Sequence, residues 1–139
     1  MKMDNTQRYE LLIKESHIDG LGHVNNAVYL TLFEEARWDL ITQHGYGYEY
    51  ILKSKISPIV LDVHLRFSKE IKIRERITIV SNAQERRGRK IGMFLQEMIN
   101  GDGEVCCTGL FTLGVMDLQK RKLITFPNEW LTTLGFEIE

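Results

Sequence analysis

Hydrophobic residues change their spacing once along this chain, from the period of a helix to the period of a strand. Tyr29, Phe33, Ala36 and Leu40 recur at intervals of 4, 3 and 4, which is one face of a helix. The spacing predicts a helix over 27–43, with Asn25 or Asn26 as its N-cap and Gly45 as a terminator soon after His44. After Pro58, Ile59, Leu61, Val63, Leu65 and Phe67 alternate with Val60, Asp62, His64 and Arg66, as in a strand with one buried face. Ile71, Ile73, Ile77 and Ile79 continue that behaviour as a second strand. Met93, Leu95 and Ile99 mark a third, and Val105, Cys107, Phe111, Leu113 and Val115 a fourth. Arg87-Gly88 and Asn100-Gly101-Asp102-Gly103 supply the turns between them. Links this short join antiparallel neighbours, because a parallel crossover needs about a dozen residues or more.

Tyr9 to Glu15 reads as a first strand, His17 to Asn26 as a loop, and Pro127 to Gly135 as a short last helix. The expected fold class is therefore α+β, one long helix against a meander-like antiparallel sheet of about five strands. One helix cannot cover every edge and face of such a sheet, so self-association is expected. A length of 139 residues without repeat or linker suits one domain over 1–139, with no room for a separate regulatory module.

Charge and cysteine content narrow the function. With 18 Lys plus Arg against 19 Asp plus Glu, the net charge is -1, which removes the simplest electrostatic case for nucleic acid or a membrane surface. Cys106 and Cys107 are adjacent, a poor disulfide pair and too few for a Cys-rich zinc site. His17, His23, His44 and His64 lack metal-ligand spacing, so no metal is expected. The polar start of the chain and the absence of a bilayer-length apolar run point to a soluble protein in the reducing cytoplasm.

The chemistry-bearing stretch is Asp19-Gly20-Leu21-Gly22-His23-Val24-Asn25-Asn26. It sets a carboxylate, an imidazole and two amides directly before a helix, whose unsatisfied N-terminal N–H groups favour negative charge. Such an N–H, at Asn26 or a neighbour, can stabilise an oxyanion growing on a carbonyl. Asp19 can then serve as nucleophile or as a general base on water. Simpler readings exist for each residue: an Asp before Gly forms turns, Asn25 and Asn26 cap helices, and His23 satisfies a backbone carbonyl.

Asp19-x-x-Gly22-His23-Val24-Asn25-Asn26-x-x-Tyr29, followed by Phe33-Glu34-x-Ala36-Arg37, resembles the signature of hotdog-fold acyl-CoA thioesterases of the 4-hydroxybenzoyl-CoA thioesterase type. Pro58-Ile59-Val60, Gly101-Asp102-Gly103 and Pro127 after Met116-Asp117 extend the resemblance over almost the whole chain. It implies a long central helix wrapped by the sheet, and cofactor-independent hydrolysis of an acyl-CoA or acyl-carrier-protein thioester. Asp19 would be the catalytic carboxylate and the Asn26 N–H the donor to the thioester carbonyl, with Asn25 beside it. It also implies a homodimer or homotetramer whose sites draw on two chains. Plant acyl-acyl-carrier-protein thioesterases carry a similar Asp-x-Asn-x-His-Val-Asn-Asn stretch. Here His23 matches the His, while Leu21 replaces the Asn two after the Asp, so a shared triad does not carry over and His23 is a secondary catalytic candidate.

Arg86-Arg87-Gly88-Arg89-Lys90 puts four positive charges in five residues at an expected turn. It reads either as a solvated loop or as a clamp for the phosphates of CoA, since guanidinium forks match phosphate oxygens. Without interleaved aromatic residues it is a poor RNA site. Tyr29, Phe33, Val60 and Phe67 are the candidate acyl-pocket residues. Glu34 and Glu35 read as helix-surface charges, with Arg37 paired to one of them at helical spacing. Two alternatives stand beside the hydrolase: a non-catalytic acyl-CoA-binding or sensor module, and an acyl-thioester hydratase or dehydratase.

Overall fold

The computed structural model describes residues 6–138. In chain order its elements are β1 (Gln7–Leu12), a 3-10 turn (Glu15–His17), α1 (Asn26–Gln43), α2 (Tyr48–Ser54) and β2 (Ile56–Phe67). There follow β3 (Arg76–Arg86), β4 (Gly92–Ile99), β5 (Val105–Asp117), β6 (Lys122–Ile124) and α3 (Asn128–Leu134).

The long helix starts one residue before the expected 27 and ends at the expected position. Asn25 caps it: its Oδ1 accepts the Ala27 N–H at 3.0 Å. At the other end Gly45 takes φ +83° and donates its N–H to the Thr42 carbonyl, a turn that only glycine adopts without strain. Leu32, Phe33, Ala36 and Leu40 bury the face that the 3.6-residue period marks out. Phe33 meets Phe111 of β5 edge-on, 5.7 Å between ring centres.

All strand pairings are antiparallel, and the main order is β1-β3-β4-β5-β2, with β6 added to β5. β3, β4 and β5 form the expected meander. β2 does not join it beside β3: it crosses to the far edge and pairs with β5 along its length. The helix α1 packs on β1, β3 and α3 and reaches Phe111 of β5 and Phe67 of β2 through Phe33 and Tyr29, yet several apolar side chains of β2 stay exposed.

That exposure overturns the expectation of one buried face on the strand after Pro58. Val60, Leu61, Val63 and Phe67 are all exposed. A bulge at Leu61 also resets the alternation. Val60, not Leu61, pairs with buried Leu113, and Val63 pairs with buried Phe111. The second expected strand is shorter than the isoleucine spacing suggests. Ile71 and Ile73 precede β3, in a loop closed by Lys72 N–H to the Glu75 carboxylate and Arg74 N–H to the Ile13 carbonyl. Ile71 is buried all the same, as the anchor of that loop. β1 runs from Gln7 rather than Tyr9 and stops before Glu15, which starts the 3-10 turn.

Two elements have no counterpart in the sequence reading. α2 follows Gly45-Tyr46-Gly47, and its Tyr50 joins Tyr46 and Trp130 of α3 in an aromatic cluster. β6 follows a turn in which the Asp117 carboxylate accepts the Gln119 and Lys120 N–H groups.

Candidate active site

The loop before α1 is built to present Asp19. Ile18 and Val24 form an antiparallel bridge, and Asp19 N–H donates to the His23 carbonyl at 3.2 Å. Gly22, at φ +87°, closes the turn by donating to the Asp19 carbonyl. One carboxylate oxygen, Oδ1, accepts the Leu21 N–H at 2.8 Å, a side-chain turn of the kind Asp favours. The other oxygen makes no hydrogen bond within the described residues, and Asp19 is half-buried. Buried Val24 pins the loop to the segment before β3 by donating its N–H to the Ile71 carbonyl at 2.9 Å.

The same loop leaves one helix-terminal donor unclaimed. Ala27 N–H is held by the Asn25 side chain and Val28 N–H by the Asn25 carbonyl. Asn25 N–H donates to the His17 carbonyl at 3.1 Å. Asn26 N–H, between them, has no acceptor among the described residues, and Asn26 is exposed. An open N–H at the positive end of an 18-residue helix suits an oxygen that gains negative charge. His23 is held through its backbone, bridged to Lys72, and its imidazole has no hydrogen-bond partner among the described residues. Asp19, His23 and Asn25 thus share the loop that leads into α1, whose first residue is Asn26.

The basic residues sit elsewhere. Arg86 ends β3, and Arg87 to Lys90 form the turn into β4, with Gly88 at φ +74°. Arg87 pairs with Glu85 at 3.2 Å. Arg86 Nε is buried without a partner among the described residues. The Arg89 carbonyl accepts the Phe126 N–H, and the Lys90 carbonyl lies beside Gly114, the cross-strand partner of Ile59. This turn therefore lies at the Ile59 end of β2. Asp19 lies at the other end, where Tyr29 of α1 meets Phe67 with ring centres 5.0 Å apart.

A groove of about 340 Å³ opens at the Ile59 end as well, lined by Arg37, Trp38, Ile41, Ile59, Val60 and Leu113 among others. Of the four expected acyl-pocket residues, Val60 lines it. Phe33 is wholly buried against Phe111, and Tyr29 is buried against Phe67. Burial pushes the Tyr29 phenol up to about 12.

Arg37 departs from its expected surface pairing with Glu34 or Glu35. Its Nη1 donates to Gln96 Oε1 at 2.8 Å, and its guanidinium lies 4.4 Å from the centre of the Phe111 ring. Glu35 instead accepts the Tyr9 hydroxyl at 2.6 Å. Burial lowers the Arg37 pKa to about 10, against the opposing effect of Glu34. The signal was in the sequence: position 37 lies on the same helix face as 33 and 40, four and three residues away.

Comparison with known proteins converges on one family. The model of the thioesterase-like superfamily matches residues 13–134. The long-chain acyl-CoA thioesterase FadM of Escherichia coli K12 is 27% identical over 121 residues, covering 86% of this chain and 90% of FadM. The crystal structure of YbaW, a probable thioesterase of Escherichia coli, superposes with a TM-score of 0.79 at 25% identity, covering 92% of this chain and 96% of that one. A Staphylococcus aureus protein characterised in complex with CoA shares the fold, with a TM-score of 0.86 at 14% identity over 100% of this chain and 90% of that one. The antiparallel sheet with its long helix is thus the hotdog fold.

Proposed function

We propose that this chain, which belongs to the thioesterase-like superfamily and is a thioester hydrolase, cleaves acyl-CoA thioesters at the Asp19 loop. The observation that carries this reading is the pairing, on one loop, of a carboxylate oxygen without a partner and an unclaimed helix N-terminal N–H. In the proposed reaction the thioester carbonyl oxygen accepts the Asn26 N–H, which stabilises the negative charge that develops there. Asp19, as nucleophile or as the base that takes a proton from water, brings an oxygen onto the carbonyl carbon. The carbon–sulfur bond then breaks and the CoA sulfur leaves as thiolate. Where water attacked, the acyl group is released directly as the acid; where Asp19 attacked, water hydrolyses the acyl–Asp19 anhydride to give the acid and restore the carboxylate. Asn25 holds the helix start, and His23 supplies polarity beside the carboxylate. The name of FadM supports a long-chain acyl-CoA as substrate, and the CoA-bound relative supports CoA as its carrier.

The proposed assembly is a homodimer through β2. This strand uses one edge to pair with β5, and Val60, Val63 and Phe67 are apolar and exposed, a combination that favours pairing with a second copy. A two-fold axis makes such a contact antiparallel. It sets the Ile59 end of one β2 beside the Phe67 end of the other. The basic turn and the groove of one chain then flank the Asp19 loop of its partner, with Arg86, Arg87, Arg89 and Lys90 near the CoA phosphates and Gly88 keeping the turn open.

Chromatographic release of free CoA from short-, medium-, long-chain and aromatic acyl-CoAs tests the activity without a thiol dye. Turnover is expected, with the rates ranking the acyl groups. Binding without turnover of any of them would overturn the acyl-CoA hydrolase in favour of a sensor.

A further inference from the structure

The net charge of -1 hides an uneven distribution. Cations collect where α2 runs into β2 and where β5 turns into β6. Lys53 and Lys55 stand at the end of α2, and Lys120, Arg121 and Lys122 in and after the turn. The two segments are joined. Leu118 N–H donates to the Lys55 carbonyl at 2.8 Å, and Asp117, the partner of Lys122, pairs with Ile56 on its other side. All of these cations are exposed, and none forms an ion pair among the described residues. They outnumber the carboxylates on the same elements. Asp117 is taken up by the Gln119 and Lys120 N–H groups, and Glu49 stands in the first turn of α2. Glu129, on neighbouring α3, accepts the Tyr50 hydroxyl.

An apolar patch adjoins these charges. Tyr48 and Leu52, on one side of α2, are 65% and 48% exposed. Trp38 of α1 is 38% exposed and meets Tyr48 with ring centres 6.5 Å apart. Lys53 follows Leu52 directly. Exposed aromatic and leucine side chains edged by lysine and arginine are the composition of a surface that lies on a bilayer. We propose that the face formed by Trp38, α2 and the β5–β6 turn docks on anionic lipid and holds the protein at a bilayer surface without crossing it. Anionic headgroups answer the cations, and the headgroup–acyl boundary takes the rings and the leucine. A second copy of the chain fits this face poorly, because it would bring like charges together. Each cation near an anionic surface raises partitioning about fivefold, and burial of a leucine adds about tenfold.

Co-sedimentation of the full chain with vesicles tests this without any substrate, so the outcome does not depend on the thioesterase reading. Vesicles of phosphatidylcholine alone are compared with vesicles of phosphatidylcholine and phosphatidylglycerol, each at low and high salt. Free CoA is present throughout, to occupy the separate basic turn before β4. The wild type is expected to bind the mixed vesicles at least about tenfold more tightly than phosphatidylcholine alone, and to lose most of that binding at high salt. The double substitutions Lys120→Gln/Lys122→Gln and Tyr48→Ser/Leu52→Ser should each weaken it by about tenfold or more. All four side chains are exposed, so the melting temperature and the hydrolysis of acyl-CoA in vesicle-free buffer should stay at the wild-type level. Failure to bind the mixed vesicles, equal binding to both kinds, or undiminished binding by either variant would overturn the proposal. So would a change of oligomeric size in Tyr48→Ser/Leu52→Ser, which would make this face a contact between copies of the chain.

Discussion

Asp19 has an observed role and a proposed one, and a substitution can separate them. Its Oδ1 fixes the turn through the Leu21 N–H, and its second oxygen, without a hydrogen bond among the described residues, is the one proposed to act on the thioester. Asparagine keeps the acceptor and removes the charge, so Asp19→Asn should leave the loop in place. Asn25 is the complementary case, because its side chain acts on the helix. Asn25→Ala removes the bond to the Ala27 N–H and should cost about 1 kcal/mol, read as a lower midpoint in urea. It should also lower thioesterase kcat, because a frayed first turn misplaces the Asn26 N–H. A variant with unchanged stability would show that water replaces the cap at no cost. The turn at Asp19 and the cap at Asn25 were legible in the sequence, because Asp-Gly and Asn before a helical period are local signals. Arg37 was misread because charge was weighed above its position on the buried helix face.

At the scale of elements, α1 is tied to the sheet by a polar link as well as by packing. Gln96 of β4 bonds the Phe33 carbonyl and Arg37 of α1 and Ser81 of β3. Gln96→Leu keeps volume but leaves Ser81 and Arg37 without that partner. It should destabilise the fold by about 1–3 kcal/mol, measured by chemical denaturation. A neutral result would mean that packing alone seats the helix. Elements with a long, regular period were legible: α1 and β4 fall almost where the spacing puts them. β2 was not, because a single bulge at Leu61 shifts every residue before it to the other face. α2 was hidden by the glycines at 45 and 47, and β6 is three residues long, shorter than any periodic signal. The crossing of β2 past the meander is a long-range pairing that no local spacing records.

For the whole molecule, the basic turn and the Asp19 loop lie at opposite ends of β2, and the proposed dimer would bring the one beside the other across two chains. Val63→Asp puts a charge in the middle of the exposed apolar stripe of β2. It should convert a dimer to a monomer by sedimentation, with loss of acyl-CoA hydrolysis and little change in the far-ultraviolet spectrum. A monomeric variant with full activity would show that one chain holds a complete site. That cross-chain arrangement was expected from the family resemblance and from the exposed sheet margin, whereas the groove and its cation emerge only in three dimensions. Among the described residues no helix is long and apolar enough to cross a membrane.

Whether the Asp19 carboxylate drives thioester cleavage is decided by one comparison. Wild type and Asp19→Asn, each verified as folded and of the same oligomeric size, are given the acyl-CoA that wild type turns over fastest, and free CoA is followed chromatographically. A fall in kcat of about 10²–10⁴-fold with an unchanged melting temperature is the predicted result. Undiminished hydrolysis by Asp19→Asn would show that the carboxylate takes no part in the cleavage.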